Sequence, residues 1–303
     1  MPGNDLLNRR LSVPGEAAIV AAVLLAWQAI RVPIEGGSTE SLSHARAWER
    51  LHHRLGLSGM QDRVIDVVHH HVVLDVARWS YSNIHVFSIF AFMVAVRAAA
   101  PSRYPTVRSA FVLLHLPALV AIAAYPLGSP NWLPHPPEWA GHHPALSGGW
   151  SAGLRNQTAA VASEHFGYPV LMAFTALWLA PRKWLAAPVL LYPPFVFMVI
   201  VGTGHHFPLD AVVGSACVAL GLGLAFALHR DRVDDTPGEP AARWIPLAIG
   251  AGLLAGWVDA LSGSRVDPVN PGLTTFLAPV LAAGALAYAA RVGRAQRELR
   301  SEA

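Results

Sequence analysis

Two short clusters of ionisable residues stand directly before long apolar runs. One is Ala162-Ser163-Glu164-His165; the other is Gly202-Thr203-Gly204-His205-His206-Phe207-Pro208-Leu209-Asp210. Ionisable groups at membrane depth are costly and default to functional candidates. His206 and Asp210 are four apart, so on a helix they share a face. A carboxylate there can hold an imidazole in one tautomer and favour its charged form. Pro208 suits a first helical turn, and Ser163 is a good N-cap that accepts a backbone N–H two or three residues on. Two helix N-termini would then open toward one face, each with a histidine beside it, and such termini attract anions. One histidine positioned by Asp210 could attack phosphorus while the other protonates the leaving oxygen. This reads as a phosphoryl-transfer site that needs no metal. The plainer alternative for His206 and Asp210 is a polar pair linking two helices. His165 by itself reads as an interfacial histidine, and Glu164 suits a helix N-terminus for dipole reasons.

The elements that must position these groups are membrane helices. The chain has 303 residues, of which 53% are hydrophobic and 14% charged, well below the quarter or so that is charged in soluble domains. A bilayer core about 30 Å thick needs about 20 apolar helical residues. Runs near that length lie at 16–33, 81–98, 109–126, 166–180, 185–203, 208–228, 244–262 and 273–291. They predict an all-α polytopic bundle of about eight transmembrane helices, a six-helix core followed by a two-helix hairpin. Most of the 22 basic residues fall in connections on one side, among them Arg97, Arg103, Arg108, Arg182, Lys183, Arg230 and Arg291. That asymmetry puts both termini in the cytoplasm and the two histidine clusters on the outer side of a cell membrane. The first run, after Arg9 and Arg10, is read as a retained anchor because its end makes a poor cleavage site.

Four segments follow. Residues 1–34 are the anchor, 35–80 outer-leaflet interfacial helices, 81–228 the catalytic core, and 229–303 a polar linker and hairpin. The stretches Ala45-Trp48-Leu51-Leu55 and Val64-Val67-Val68-Val72-Leu74 are amphipathic, as helices lying in an interface are. Residues 127–162, rich in Pro, Gly, Trp and His, have the length of a lid or site loop. A net charge of +3 is too small to imply nucleic acid. Cys217 is the only cysteine, so no disulfide forms within the chain. Consecutive His69-His70-His71 point in different directions on a helix, whereas helical metal ligands prefer His-x-x-x-His. His52-His53 and His142-His143 fare no better as metal sites. No metal and no cofactor is expected.

The segment Ala159-Ala160-Val161-Ala162-Ser163-Glu164-His165 looks like an "AAMPSLH" element, and Gly204-His205-His206-Phe207-Pro208-Leu209-Asp210 like "GNHYxxD". The chain in this respect resembles the type-2 phosphatidic acid phosphatase superfamily, in the branch of fungal inositol-phosphorylceramide synthase and its bacterial relatives. Tyr81 and His85, Tyr104 and Arg108, and Ala124-Tyr125-Pro126-Leu127 echo the same branch, and the resemblance spans roughly residues 40–228. It implies that His206 is the nucleophile forming a phosphohistidine, Asp210 its orienting partner, His165 the general acid, and Ser163 part of a phosphate cradle. Tyr81, His85, His205 and Asn131 would line the substrate site. Water would resolve the intermediate in a phosphatase, and an alcohol in a phosphotransferase.

The chain departs from the family pattern in several places. The basic Lys…Arg-Pro motif is missing, Val199 and Ile200 stand where Ser-Arg is common, and Ser129-Pro130-Asn131 replaces "PPR". Glu164 puts a carboxylate where the pattern has Leu. Arg155, in the outer loop before His165, is the candidate replacement cation, with an ordinary loop charge as its alternative. The expected substrate is a lipid phosphate or pyrophosphate drawn from the membrane. The alternatives are an inositol or sugar phosphotransferase making a phosphoglycolipid, and a non-hydrolytic lipid-binding or pyrophosphate-processing member of the same fold.

Overall fold

The computed structural model describes residues 13–31, 33–34, 38–133, 158–180 and 183–229. Arg155, most of the 127–162 loop and both C-terminal spans lie outside them. The described chain is helical, and its single β contact is an isolated parallel bridge between Leu127 and Ala159. In chain order the helices are α1 (Val13–Arg31), α2 (Ser38–Arg54), α3 (Ser58–Val68), α4 (His71–Ala99), α5 (Tyr104–Leu113), α6 (His115–Ala124), α7 (Glu164–Leu179), α8 (Ala187–Leu190), α9 (Tyr192–Gly202) and α10 (Pro208–Leu228).

Among the described residues, three helical stretches are long and apolar enough to cross a membrane: Tyr104–Ala124, Trp184–Gly202 and Pro208–Leu228. The 21 residues of α10 rise about 31 Å, close to the hydrocarbon thickness. The other two spans are interrupted, and proline is the cause. Pro117 has no N–H for the Leu113 carbonyl, so Tyr104–Ala124 breaks at Leu114 into α5 and α6. Pro193 and Pro194 break the second span at Leu191, between α8 and α9. Leu116, Val120, Phe195 and Leu224 face outward from these spans, a pattern suited to hydrocarbon rather than water. The chain is a helical membrane protein.

α10 is the central helix, packed against α5, α6 and α7, while α9 packs against α3, α4 and α7. Three apolar clusters line α10 from its amino end to its carboxyl end. One joins α2 to the segment before α7 through Ala45, Trp48, Leu127, Ala160 and Phe207. A second fills the bundle between α4, α5, α7 and α10 with Ile89, Phe111, Leu171 and Leu222. The third sits between α3, α4 and α9 around Val68, Ala77 and Ile200. Ser88 and Tyr192 add a hydrogen bond of 2.7 Å between α4 and α9.

The two amphipathic stretches behave differently. Ala45 and Trp48 are buried on one face of α2, with Leu51 and Leu55 half-buried beside them. The second stretch is divided, because the chain turns at His69 and His70 between α3 and α4. Its continuation is not a separate interfacial element: α4 runs unbroken for 29 residues through position 80. No Gly or Pro falls within α4 to end it, so the expected interfacial stretch and the expected span at 81–98 lie on one continuous helix.

Arg108, counted with the motif resemblance, lies far from the two histidine clusters. Its guanidinium makes two hydrogen bonds to Glu16 of α1, at 2.9 and 3.0 Å, and both residues are buried. The adjacent Ser109 hydroxyl bonds His229, just past the end of α10. That end is about 30 Å from the His206 end, so this pair ties α1 to the bundle. Removing one partner leaves a buried charge unpaired, which typically costs about 3–5 kcal/mol. Arg108→Ala should therefore lower the thermal midpoint in detergent, and the double change Glu16→Leu, Arg108→Met should recover most of the loss. An unshifted midpoint in the single variant would contradict a structural ion pair.

Candidate active site

The loop between α9 and α10 is built to deliver two imidazoles. α9 ends at Gly202, and Gly204 adopts φ +69°, a left-handed conformation that suits glycine. Its N–H donates to the Val201 carbonyl at 3.0 Å, and the His205 N–H donates to the Ile200 carbonyl at 3.2 Å. These two bonds form a Schellman cap. They turn the chain so that His205, His206 and the first turn of α10 follow at once. Asp210 then reaches back, its Oδ2 accepting the Phe207 N–H at 2.8 Å. That is the carboxylate half of a capping box.

His206 is 5% exposed and Asp210 is 0% exposed. His206 Nδ1 lies 3.1 Å from the Ala160 carbonyl and 3.4 Å from Asp210 Oδ2. Both neighbours only accept, so Nδ1 carries the proton and the neutral ring presents a bare Nε2. The expected carboxylate partner is present, and the Ala160 carbonyl is a second one that side-chain spacing did not reveal. The second carboxylate oxygen, Asp210 Oδ1, and the Trp48 indole Nε1 are both buried without a hydrogen-bond partner among the described residues.

The second arm is the extended segment 158–163. The Leu127 N–H donates to Thr158 at 2.7 Å and the Ala160 N–H to Leu127 at 3.1 Å. This pairing holds the Ala160 carbonyl in place and feeds the chain into α7. Ser163 is the N-cap residue, but its hydroxyl makes no capping bond. The Ser163 carbonyl already takes the Phe166 and Gly167 N–H groups at 3.2 and 2.9 Å, so the hydroxyl is not needed there. Its Oγ is buried without a hydrogen-bond partner among the described residues.

His165 and His206 converge, with ring centroids 5.7 Å apart. Tyr81 of α4 lies between two imidazoles: it stacks on His165 at 4.3 Å and 9°, and on His205 at 4.1 Å and 21°. His205 Nδ1 meets Thr203 Oγ1 at 2.9 Å. The Thr203 hydroxyl donates its hydrogen to the Val199 carbonyl at 2.7 Å. His205 is therefore the donor to Thr203, and in its neutral form the proton sits on Nδ1. An apolar cavity lined by Tyr192, Phe195, Val196 and Ile200 opens beside Tyr81 and His165.

Other sequence candidates sit on α4 and on the segment that follows α6. His85 lies in α4 one turn beyond Tyr81, with its side chain outside the described residues. Asn131 sits in a 3-10 turn, Pro130–Trp132, that packs on α2, and its Oδ1 is buried without a partner among the described residues. Glu164 belongs to a different environment from its neighbour His165. It lies 3.6 Å from His115 Nε2, with Tyr168, Trp27 and Arg31 acting on it. His115 donates from Nδ1 to the Phe111 carbonyl at 2.7 Å, so Tyr168 donates to His115 Nε2 at 3.0 Å. Among the described residues no group of three or more His, Cys, Asp or Glu could hold a metal ion.

The sequence model of the PAP2 superfamily matches residues 49–224, more than half of the chain. The chain belongs to the PAP2 superfamily. Neither the curated proteins nor the solved structures yielded a match. The matched stretch holds Tyr81, His165, His205, His206 and Asp210, together with every helix that carries them. PAP2 superfamily members are phosphatases, which supports a phosphatase-type enzyme. The inward packing that this arrangement needs is met at Gly214, where any Cβ would run into the Ser163 carbonyl oxygen.

That contact makes a test of the geometry. Gly214→Ala must push α10 away from the start of α7 and separate His206 from His165. Hydrolysis of a lipid phosphate should fall by about two orders of magnitude or more with helix content by circular dichroism unchanged. Gly167→Ala, whose Cβ would meet only ordinary contacts from 3.4 Å outward, should retain activity. Equal activity in both variants would contradict the close approach.

Proposed function

We propose that this PAP2 superfamily member is a metal-independent phosphatase or phosphotransferase acting on a lipid phosphate, with a phosphohistidine on His206. The observation that carries this reading is the held imidazole of His206, bare at Nε2, with the ring of His165 5.7 Å away. In the first step His206 Nε2 attacks phosphorus and forms a P–N bond. The P–O bond to the lipid alcohol breaks, and His165 supplies the proton that the departing oxygen takes up. The Asp210 carboxylate and the Ala160 carbonyl hold the Nδ1 proton and stabilise the positive charge that develops on the ring. In the second step water attacks phosphorus, its proton passes to His165, and the P–N bond breaks to release phosphate. An alcohol in place of water gives transfer, which is the reaction that the inositol-phosphorylceramide synthase branch suggests.

Several groups fit substrate roles. The Ser163 hydroxyl, buried and without a partner among the described residues, suits a phosphoryl oxygen. Tyr81 and His205 form the wall of the site, and the lipid chain would follow the cavity past Phe195 and Val196. Charge on the equatorial oxygens calls for a cation, the role given to Arg155. The wider topology proposed from the sequence is eight spans with both termini cytoplasmic and the site facing outward in the cell membrane.

General-acid chemistry at His165 has a specific signature. His165→Asn should reduce hydrolysis of an alkyl lipid phosphate by about 10²–10⁴-fold. It should have far less effect on an aryl phosphate, whose leaving oxygen needs no proton. Equal losses on the two substrates would remove His165 from that role.

A further inference from the structure

α2 reaches the amino end of α10 through a histidine that no motif points to. The first turn of a helix leaves N–H groups without intrahelical partners. In α10 Pro208 has none to satisfy, and the Asp210 N–H donates to the Phe207 carbonyl at 3.0 Å. Between them, the Leu209 N–H donates to His52 Nε2 at 3.2 Å. The acceptor comes from a helix more than 150 residues earlier in the chain. His52 Nδ1 sits 2.9 Å from the Trp48 carbonyl, which only accepts, so Nδ1 holds the ring's proton and Nε2 keeps its lone pair for Leu209. Both nitrogens of one tautomer are used. Burial pushes the ring down to about 4, with the Trp48 carbonyl acting in the opposite direction. The imidazole is therefore neutral at physiological pH.

The contact is part of a wider support. The His52 ring lies 5.1 Å from that of Phe207, and Trp48, one turn earlier on the same face of α2, packs in the same apolar cluster as Phe207 and Leu209. α2 thus touches Phe207 and Leu209, the residues on either side of Pro208 and directly before Asp210. The same helix also holds the other support of His206. The Ser41 carbonyl accepts the Gly128 N–H at 3.2 Å, and His44 bonds the Pro126 carbonyl at 2.8 Å and stacks on Tyr125 at 3.8 Å. This fixes the segment whose Leu127 pairs with Ala160. Both acceptors of the His206 Nδ1 proton, the Ala160 carbonyl and the Asp210 carboxylate, therefore trace back to α2.

We infer that His52 is a positioning residue for the reaction: its neutral imidazole closes the amino end of α10 and keeps Asp210 aligned on His206. The inference rests on the phosphohistidine reading for its effect on rate. His52 touches neither substrate nor the reacting atoms. Its loss acts through Asp210, so it lowers turnover and leaves substrate binding unchanged.

The test uses the full chain in detergent micelles and two variants. His52→Phe keeps a ring of similar shape without an acceptor, whereas His52→Gln places an amide oxygen near the Nε2 position. The first should lose about tenfold in kcat with KM within about twofold, and the second should recover to within about threefold of the parent. Hydrogen–deuterium exchange across residues 205–212 reads the contact without any turnover. It should quicken in His52→Phe and return toward the parent rate in His52→Gln. Full kcat in His52→Phe, or unchanged exchange, overturns the inference. Equal losses of kcat and thermal midpoint in both variants also overturn it, since that is the mark of a merely structural histidine. If the parent itself turns over no phosphate ester while exchange still follows the substitutions, the chemistry assigned to His206 fails and the cap stands.

Discussion

A carboxylate without exposed surface, set in a bundle of apolar helices, persists only where donors surround it, and Asp210 imposes that condition on its neighbourhood. The Phe207 N–H donates to it from the helix N-terminus, the His206 imidazole lies 3.4 Å away in the preceding loop, and α2 packs Trp48 into the same apolar cluster as Phe207 and Leu209. Each donor fixes the element that carries it. The α9–α10 loop must turn at Gly204 to bring His206 within reach. The segment before α7 must lie close enough for Ala160 to share the Nδ1 proton, and α2 must lie across the end of α10. The functional geometry follows from satisfying one buried acid.

The same condition explains which features were legible in the sequence. Hydropathy placed the span 208–228 at the bounds that α10 adopts, because a continuous apolar run leaves a helix no competing solution. The four-residue spacing of His206 and Asp210 was read as a shared helical face; the two do meet, but His206 lies in the loop ahead of α10 and Asp210 approaches it from the first turn. Ser163 followed the propensity rule only in part. It occupies the N-cap position, but its own carbonyl satisfies the N–H groups that its hydroxyl was expected to take.

Contacts between distant segments were not legible in one sequence. The stack of His165, Tyr81 and His205 joins α4, α7 and the α9–α10 loop, and the Ala160 carbonyl is a backbone group with no residue-type signature. His52 was visible only as half of an unpromising His-His pair. Its meaning depends on a partner 157 positions away. The continuity of α4 through position 80 was missed for a different reason. Polar composition in its first turns reads as a boundary, although the helix needs only an absence of breakers to continue. Arg108, which echoes the family branch and was assigned by the distribution of basic residues to the side opposite the histidines, pairs with Glu16 at the far end of the bundle.

Glu164 and His165 illustrate how consecutive residues in a membrane helix serve separate environments. About 100° apart around α7, one faces His115, Tyr168 and Trp27, and the other faces Tyr81 and His206. The carboxylate that departs from the family pattern thus sits among its own partners, and the imidazole keeps to the stack with Tyr81.

Transfer of phosphorus to His206 Nε2 is the central claim, and rapid acid-free quenching with a lipid phosphate labelled in its phosphoryl group tests it most directly. The account predicts that label appears on the peptide containing His206 within a single turnover, is stable to base and labile to acid, and is missing in His206→Ala. Steady product release with no label on that peptide, or label on another residue, would contradict it.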